Sequence, residues 1–224
     1  MKYLRQLLGE KVILLLLIPF FLGILFLMIA YGKGPSHLMV NAWNSPLADV
    51  FFKYVTHLGD GAIFAVVILI LLFIRIRWAF YELFAAFMTL IFVFITKQLL
   101  FNGAPRPTKY FENEETLHLV EGVKMHTMNS FPSGHTITAF AVFIILALLV
   151  KKNYLKFFFT AVAILAGFSR VYLSQHFLED IFLGALIGIA IALLSCTLVD
   201  KLGIFKTSWI DRTLIQLFDK KHEH

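Results

Sequence analysis

The sequence predicts an all-α integral membrane protein, a bundle of six transmembrane helices that forms a single domain. Of its 224 residues, 59% are hydrophobic and the mean hydropathy is +0.81, whereas soluble domains average about 45–50% apolar residues. The apolar residues occur in six blocks, which charged or turn-forming segments separate. Three of the blocks have at least 18 residues, close to the roughly 20 that cross a bilayer as a helix.

The six blocks are the predicted spans, and they follow one another at residues 12–30, 62–74, 79–96, 136–150, 155–168 and 181–199. Because the second block has only thirteen residues, we expect its helix to begin nearer residue 59. Ser45 and Pro46 suit an N-cap and a first helical position, and they predict a short surface helix before this span. A long polar outer loop, 98–131, joins the third and fourth spans, and its acidic middle is a candidate lid or headgroup selector.

The basic residues predict how the bundle is oriented in its membrane. With six spans both termini lie on one side, and that side carries 13 of the 20 Lys and Arg residues. The positive-inside rule therefore places the termini in the cytoplasm and the loop 98–131 on the outer face of a bacterial inner, or plasma, membrane. We expect one domain over 1–224 with its core at about 41–199. Residues 200–224 form a predicted amphipathic tail at the cytoplasmic interface.

Charge and cysteine content narrow the classes of partner. The formal net charge is +6, but the basic residues are scattered over loop ends, which favours contact with anionic lipid headgroups and not with nucleic acid. The single cysteine, Cys196, lies inside an apolar block, so no disulfide can form within the chain and a cysteine-based metal site is not expected. Nothing in the sequence indicates an obligatory protein partner.

One polar stretch between the fifth and sixth spans carries the residues of a reactive site. His176 and Asp180 are four residues apart, so a helix starting near His176 places them on one face. A carboxylate there can hold the histidine Nδ1–H and leave Nε2 free to react. Arg170 lies just upstream and can bind an anion through its planar guanidinium group. Ionisable groups are costly at a membrane boundary, which favours a functional explanation over a polar pair that only packs two helices.

Two further polar segments are expected on the same outer face. Ser133 and Gly134 lead directly into the fourth span, and a helix N-terminus with a glycine offers free N–H groups to a phosphate. His135 follows them at the mouth of the helix. Lys97 and Arg106 supply two more cations, so that a tetrahedral dianion is a suitable ligand for the combined site.

These residues resemble the three motifs of the type-2 phosphatidic acid phosphatase superfamily, which also includes membrane glucose-6-phosphatases and vanadium haloperoxidases. Pro132-Ser133-Gly134-His135 matches the second motif, and Ser169-Arg170 followed by His176 and Asp180 matches the third. Lys97 and Arg106-Pro107 resemble the first motif, although eight residues separate them where the family usually has six. Membrane members of this family have six spans and an active site on the outer face.

The resemblance implies a role for each residue. His176 would be the nucleophile that forms a phosphohistidine, Asp180 would orient it, and His135 would be the general acid. No metal and no cofactor is implied. The residues implied to bind the phosphoryl oxygens are Lys97, Arg106, Ser133, Gly134 and Arg170. The remaining histidines of the outer segments are expected at the surface, namely His37, His57, His118 and His126.

The leading functional prediction is a membrane-embedded, metal-independent lipid phosphatase. Its candidate substrates are polyprenyl diphosphate, phosphatidylglycerol phosphate, phosphatidic acid and lipid A. One alternative is a phosphotransferase that passes the phosphate to another lipid or sugar instead of water. Another alternative, from a different class, is a transporter that uses the same residues to bind a phosphorylated solute.

Overall fold

The computed structural model describes residues 2–112, 117–202 and 207–219, and every regular element within these ranges is helical. Three short turns supplement the α-helices: 3₁₀ turns at Thr56–Gly59 and Ser208–Asp211, and a π-helical turn at Ile95–Leu100. The α-helices in chain order are α1 Lys2–Gly9, α2 Lys11–Tyr31, α3 Lys33–Asn41, α4 Pro46–Val55, α5 Ala62–Ile74, α6 Ile76–Phe94, α7 Pro107–Tyr110, α8 Gly134–Leu149, α9 Asn153–Tyr172, α10 Leu178–Lys201 and α11 Leu214–Asp219.

The all-α class is confirmed, and the protein is a multi-pass membrane protein. Among the described residues four helical segments are long and apolar enough to cross a bilayer: Lys11–Tyr31, Ile76–Leu100, Asn153–Tyr172 and Leu178–Lys201. A fifth span results if Pro46–Gly59 and Ala62–Ile74, which are bent by 65° relative to each other, count as one. At 16 residues, α8 is shorter than a usual span. The number of six spans therefore stays a prediction.

Helix α8 forms the centre of the bundle. Twelve of its 16 residues are buried, and it packs against α9 and α10 on two sides and α6 on a third. The sequence of α8 carries no Asp, Glu, Lys or Arg, which suits a helix that is apolar all round and enclosed by others. The site residues at its first turn are thereby held by the most deeply buried element.

Glycines on α10 allow the close contact with α8. A Cβ at Gly188 would lie 2.6 Å from both the Ile137 carbonyl oxygen and the Phe140 Cβ, and one at Gly184 would lie 3.0 Å from the Ser133 carbonyl oxygen. The glycine face of α10 therefore points into the bundle, as its spacing from His176 and Asp180 predicts. This contact also brings the start of α8 next to the start of α10.

Some predicted boundaries were wrong. Helix α5 begins at Ala62, not nearer residue 59, because the chain first completes the 3₁₀ turn and then bends through Gly59-Asp60-Gly61. Helix α10 begins at Leu178, so that His176 precedes its first turn. The helix predicted after Ser45 is confirmed: Ser45 caps α4 and its Oγ accepts from the Ala48 N–H. Residues 113–116, 203–206 and 220–224, which include parts of the predicted lid and tail, lie outside the described residues.

Candidate active site

A polar cavity of about 380 Å³ opens at the end of the bundle where α6 ends and α8 begins. Its walls come from the 3₁₀ turn at Thr56–Gly59, the π-helical turn, the loop before α8, and the last turn of α9. Four of the predicted site residues line it: Lys97, Arg106, His135 and Arg170. The three motifs, which are far apart in the sequence, are thus brought together at one end of the molecule.

His176 and Asp180 form the expected pair beside this cavity. Asp180 Oδ2 lies 3.2 Å from His176 Nδ1, and both side chains are almost completely buried. Because His176 precedes α10, the histidine contacts the carboxylate from the N-terminal side of the helix and not from within it. The carboxylate fixes Nδ1 as the protonated nitrogen and leaves Nε2 without the proton.

Ser130 completes the surroundings of Asp180, a role that sequence reasoning missed. Its hydroxyl donates to Asp180 Oδ2 at 2.5 Å and lies 3.5 Å from His176 Nδ1. The backbone N–H of Phe177 donates to the same carboxylate oxygen at 2.9 Å. Three donors therefore converge on one oxygen, which holds the plane of the carboxylate in place.

Gln175 positions the two arginines and was also missed. Arg106 Nη1 donates to the Gln175 carbonyl oxygen and to its side-chain Oε1, each at 3.1 Å. Arg170 Nη2 donates to the same Oε1 at 3.4 Å, and Arg170 Nη1 donates to Thr56 Oγ1 at 2.6 Å. Both guanidinium groups are buried and are held by neutral partners, so their positive charge is directed into the cavity.

The start of α8 has the capping geometry that its sequence predicts. Ser133 is the N-cap, and its Oγ accepts from the Thr136 N–H at 3.4 Å and from Thr136 Oγ1 at 2.9 Å. Its own N–H donates to the Asp180 carbonyl oxygen at 3.1 Å. The first-turn N–H groups that follow, at Gly134 and His135, have no acceptor one turn earlier in the helix.

Lys97 reaches the cavity despite its longer spacing from Arg106. It lies in the π-helical turn Ile95–Leu100, and a Cβ built on Gly134 would be 4.0 Å from its Cε. The residues between Lys97 and Arg106 form a loop in which Gly103 adopts a positive φ of 86°, a conformation that glycine adopts without strain. This loop is anchored where Arg106 N–H donates to the Thr127 carbonyl at 2.8 Å.

The surroundings of His176 favour its neutral form. Burial holds the pKa of His176 well below its usual value, and the charges of Arg106, Arg170 and Lys97 lower it further. The imidazole is therefore neutral at neutral pH, as a nucleophile requires. Burial likewise lowers the pKa of Arg106, which Asp180 partly opposes.

A carboxylate outside the three motifs also faces the site. Asp60 Oδ1 lies 2.7 Å from His135 Nε2, and Asp60 Oδ2 lies 2.8 Å from His57 Nδ1. The sequence signal was weak, a single acid between two glycines at the outer end of an apolar block. Its contact with His135 of α8 brings this carboxylate into the site.

The other histidines differ in their surroundings. The expectation that His37 is at the surface is wrong: it is fully buried, stacked on Phe111, with Nε2 3.2 Å from Ser174 Oγ. His57 and His126 are exposed as expected, whereas His118 is half-buried and contacts Asp49. Within the part of the chain that the structure describes, no group of three or more His, Cys, Asp or Glu side chains is arranged to hold a metal ion.

Comparisons with known proteins identify a matching family and similar solved structures. The model of the PAP2 superfamily matches residues 78–204, more than half of the chain, and this range contains every predicted site residue. The solved structure of LpxE from Aquifex aeolicus is 30% identical, with a TM-score of 0.62, and the match covers 72% of this chain and 92% of that chain. A PAP2 type phosphatidylglycerolphosphate phosphatase from Bacillus subtilis is 23% identical, with a TM-score of 0.48, over 84% of this chain and 98% of that one. No curated protein sequence matches the chain.

Proposed function

The chain belongs to the PAP2 superfamily of phosphatases, and from this premise we propose that it removes phosphate from a lipid phosphate monoester or diphosphate without a metal ion. The candidate substrates are polyprenyl diphosphate, phosphatidylglycerol phosphate, phosphatidic acid and lipid A. Lys97, Arg106, Ser133, Gly134 and Arg170 are proposed to bind the phosphoryl oxygens. We place the site on the outer face of the membrane and both termini in the cytoplasm, which the distribution of Lys and Arg supports.

One observation favours a lipid over a soluble substrate. An apolar cavity of about 430 Å³ lies beside α6 and meets the polar cavity at Lys97 and His135, which line both. Its α6 wall consists of Ala86, Thr89, Leu90 and Val93, and Leu90 is 71% exposed, so the cavity opens on the side of the bundle that we propose faces lipid. An acyl or prenyl chain in this cavity would present its phosphate to the cations.

The proposed reaction has two displacements at phosphorus. His176 Nε2 attacks and forms an N–P bond while the bond to the lipid oxygen breaks, and the leaving oxygen takes its electron pair and a proton from His135. Water then attacks the phosphohistidine, its proton passes to His135, and phosphate leaves with His176 neutral again. Asp180 stabilises the charge on His176 between the two steps, and the cations stabilise the phosphoryl oxygens.

Phosphate release from a panel of the four lipid phosphates, in detergent with excess chelator, tests this proposal. We expect release by the wild-type protein and none by His176→Ala, with the preferred lipid identifying the substrate. Loss of release in chelator would contradict a metal-independent mechanism. Release only when an acceptor alcohol is present would indicate a phosphotransferase, and a folded protein that binds but never releases phosphate would indicate a transporter.

A pair of variants on α6 tests the lipid chain separately from the chemistry. Ala86→Phe fills the apolar cavity, and we expect kcat/KM for a long-chain lipid phosphate to fall by about tenfold or more, while a short soluble phosphate ester is hydrolysed as before. Leu83→Phe is the matched control, because Leu83 lies on the same helix, is 48% exposed and does not line the cavity. Equal losses on both substrates would contradict a chain-binding role for this cavity.

A further inference from the structure

The turn between α4 and α5 contacts the predicted general acid. Asp60 places one carboxylate oxygen 2.7 Å from His135 Nε2 and the other 2.8 Å from His57 Nδ1. The His135 side chain is 34% exposed and that of His57 is 66% exposed. Asp60 therefore bridges a solvent-facing imidazole and the imidazole that lines both cavities. Asp60 lies outside the part of the chain that the family model matches.

The chain docks this turn closely against the site. A Cβ at Gly59 would lie 2.8 Å from the His135 carbonyl oxygen and 2.9 Å from its Cβ, so only glycine allows the backbone of the turn to reach α8. Thr56, from the same 3₁₀ turn, accepts from Arg170 Nη1 at 2.6 Å. Two contacts to two different helices fix the turn, and the Asp60 carboxylate is carried to His135 by this docking.

The charges around His135 explain what such a carboxylate does. A general acid must carry a proton before the leaving oxygen departs, yet burial, and then the charge of Arg170, lower the pKa of His135. Asp60 supplies the opposite charge at hydrogen-bond distance, and an ionised carboxylate can only accept, so the shared proton lies on Nε2. The other titratable groups around this pair are Lys53 of α4, His57, Lys97 of the π-helical turn, Arg106, Lys124 and His126 of the loop, Arg170 of α9, and His176.

We propose that Asp60 is a positioning residue that accepts the Nε2–H of His135, holds the imidazole in its orientation, and favours the imidazolium form whose Nδ1–H protonates the leaving oxygen. This inference rests on the proposed role of His135. Asp60 acts through His135 and takes no part in bond making at phosphorus. Glycine at position 59 is required for the contact, and His57 is the outer partner of the same carboxylate.

Leaving-group dependence is the test, because a missing general acid matters only when the departing oxygen is a poor leaving group. In Asp60→Asn we expect kcat/KM for octyl phosphate to fall by about 10²-fold, and for 4-nitrophenyl phosphate by less than about fivefold. The alkaline limb of the octyl phosphate pH profile should move to lower pH by about one unit, since the charge that favours imidazolium is gone. Asp60→Glu should restore much of the rate.

A second pair of variants keeps the test decisive if Asp60→Asn fails to fold. Gly59→Ala pushes the turn away from α8 and should reproduce the selective loss on octyl phosphate. Gly23→Ala is the control, because no atom lies within 4 Å of a Cβ built there and Gly23 lines neither cavity. Equal losses on both esters, or an unmoved alkaline limb, would overturn the role of Asp60. Failure of the proposed function is distinguishable, since it would appear as wild-type activity that is absent or survives His176→Ala.

Discussion

Hydrogen bonds within the protein fix the orientation of His176 and Asp180 in the absence of substrate. All three donors around Asp180, from Ser130, Phe177 and His176, converge on Oδ2, whereas Oδ1 is buried and has no partner among the described residues. The carboxylate is thus fixed through one oxygen by contacts within the protein. If His176 is the nucleophile, as we propose, it loses no further orientational freedom when the phosphate binds, which is the advantage of preorganisation.

The low pKa of His176 predicts the acid side of the activity profile. Burial, followed by the charges of Arg106 and Arg170, holds this pKa well below the ordinary value of about 6.5. The neutral form therefore persists as the pH falls through 6.5 and is lost only at lower pH. We expect the acid limb of kcat/KM, which reports the free enzyme, to lie below pH 6.5, and the whole profile to be bell-shaped because the proposed general acid, His135, has to be protonated.

The ionisation of the substrate must be distinguished from that of the enzyme in this measurement, since the second ionisation of a phosphate monoester also falls near pH 6. Two substrates whose phosphates ionise at different pH values should give the same acid limb once their own ionisation is divided out. An acid limb at or above pH 6.5 that follows the enzyme would contradict the assignment of His176 as the neutral nucleophile.

Sequence reasoning at the residue scale found the groups that belong to motifs and missed those that support them. His135, Arg170 and Asp180 were recognisable because residue type and spacing together indicate a phosphate site. Gln175 and Asp60 carry no such pattern. Their roles arise from tertiary contacts between segments distant in sequence, which spacing along one helix does not reveal. His37 was misassigned for the same reason, since aromatic rings from other segments cover it.

At the scale of elements, the contact between α8 and α10 positions the site. The start of each helix carries one half of the constellation, and the glycines of α10 let the two helices approach closely. The helices over the six apolar blocks and the cap of α4 could be predicted from the sequence, because apolar length and capping residues are local signals. The sequence did not predict α3, nor the π-helical turn that carries Lys97.

A single methyl group on α10 tests this contact. In Gly188→Ala the new Cβ would lie 2.6 Å from backbone and side-chain atoms of α8, so the helices must separate, and we expect a loss of about 1–3 kcal/mol in the free energy of unfolding. Thermal inactivation of the detergent-solubilised protein measures this loss. Gly23→Ala is the control, because a Cβ on that glycine of α2 meets nothing within 4 Å. If the two variants inactivate at the same temperature, close packing of α8 and α10 is not important for stability.

The whole molecule has two polar ends of different character. Opposite the candidate site, Asp200 at the end of α10 accepts from Tyr3 OH at 2.8 Å and from Tyr81 OH at 2.6 Å, and it pairs with Lys2 at 2.9 Å. Burial raises the pKa of Tyr3 to about 12, so this tyrosine remains a donor at physiological pH. The network joins α1, α6 and α10 and leaves the site end free for chemistry.

Removing the charge of Asp200 should therefore affect stability and not catalysis. Asp180 and Asp200 are 20 residues apart on one helix, a rise of about 30 Å, so Asp200→Asn should leave kcat unchanged. We expect it to lower the free energy of unfolding by about 1–3 kcal/mol, because two tyrosine donors lose their charged acceptor. Lys2→Gln is the control: its side chain is 71% exposed, and such pairs contribute at most about 1 kcal/mol. A large loss of kcat in Asp200→Asn would indicate that the two ends are coupled.

The apolar cavity beside α6 opens at Leu90, on the side of the bundle that we propose faces lipid. A molecule that enters there arrives by diffusion within the plane of the bilayer, so the quantity that sets the encounter rate is its mole fraction in the lipid and not its concentration in solution. Adding inert lipid or detergent would slow turnover even when the total amounts of enzyme and substrate are held constant. The turnover rate would therefore depend on the lipid composition of one leaflet.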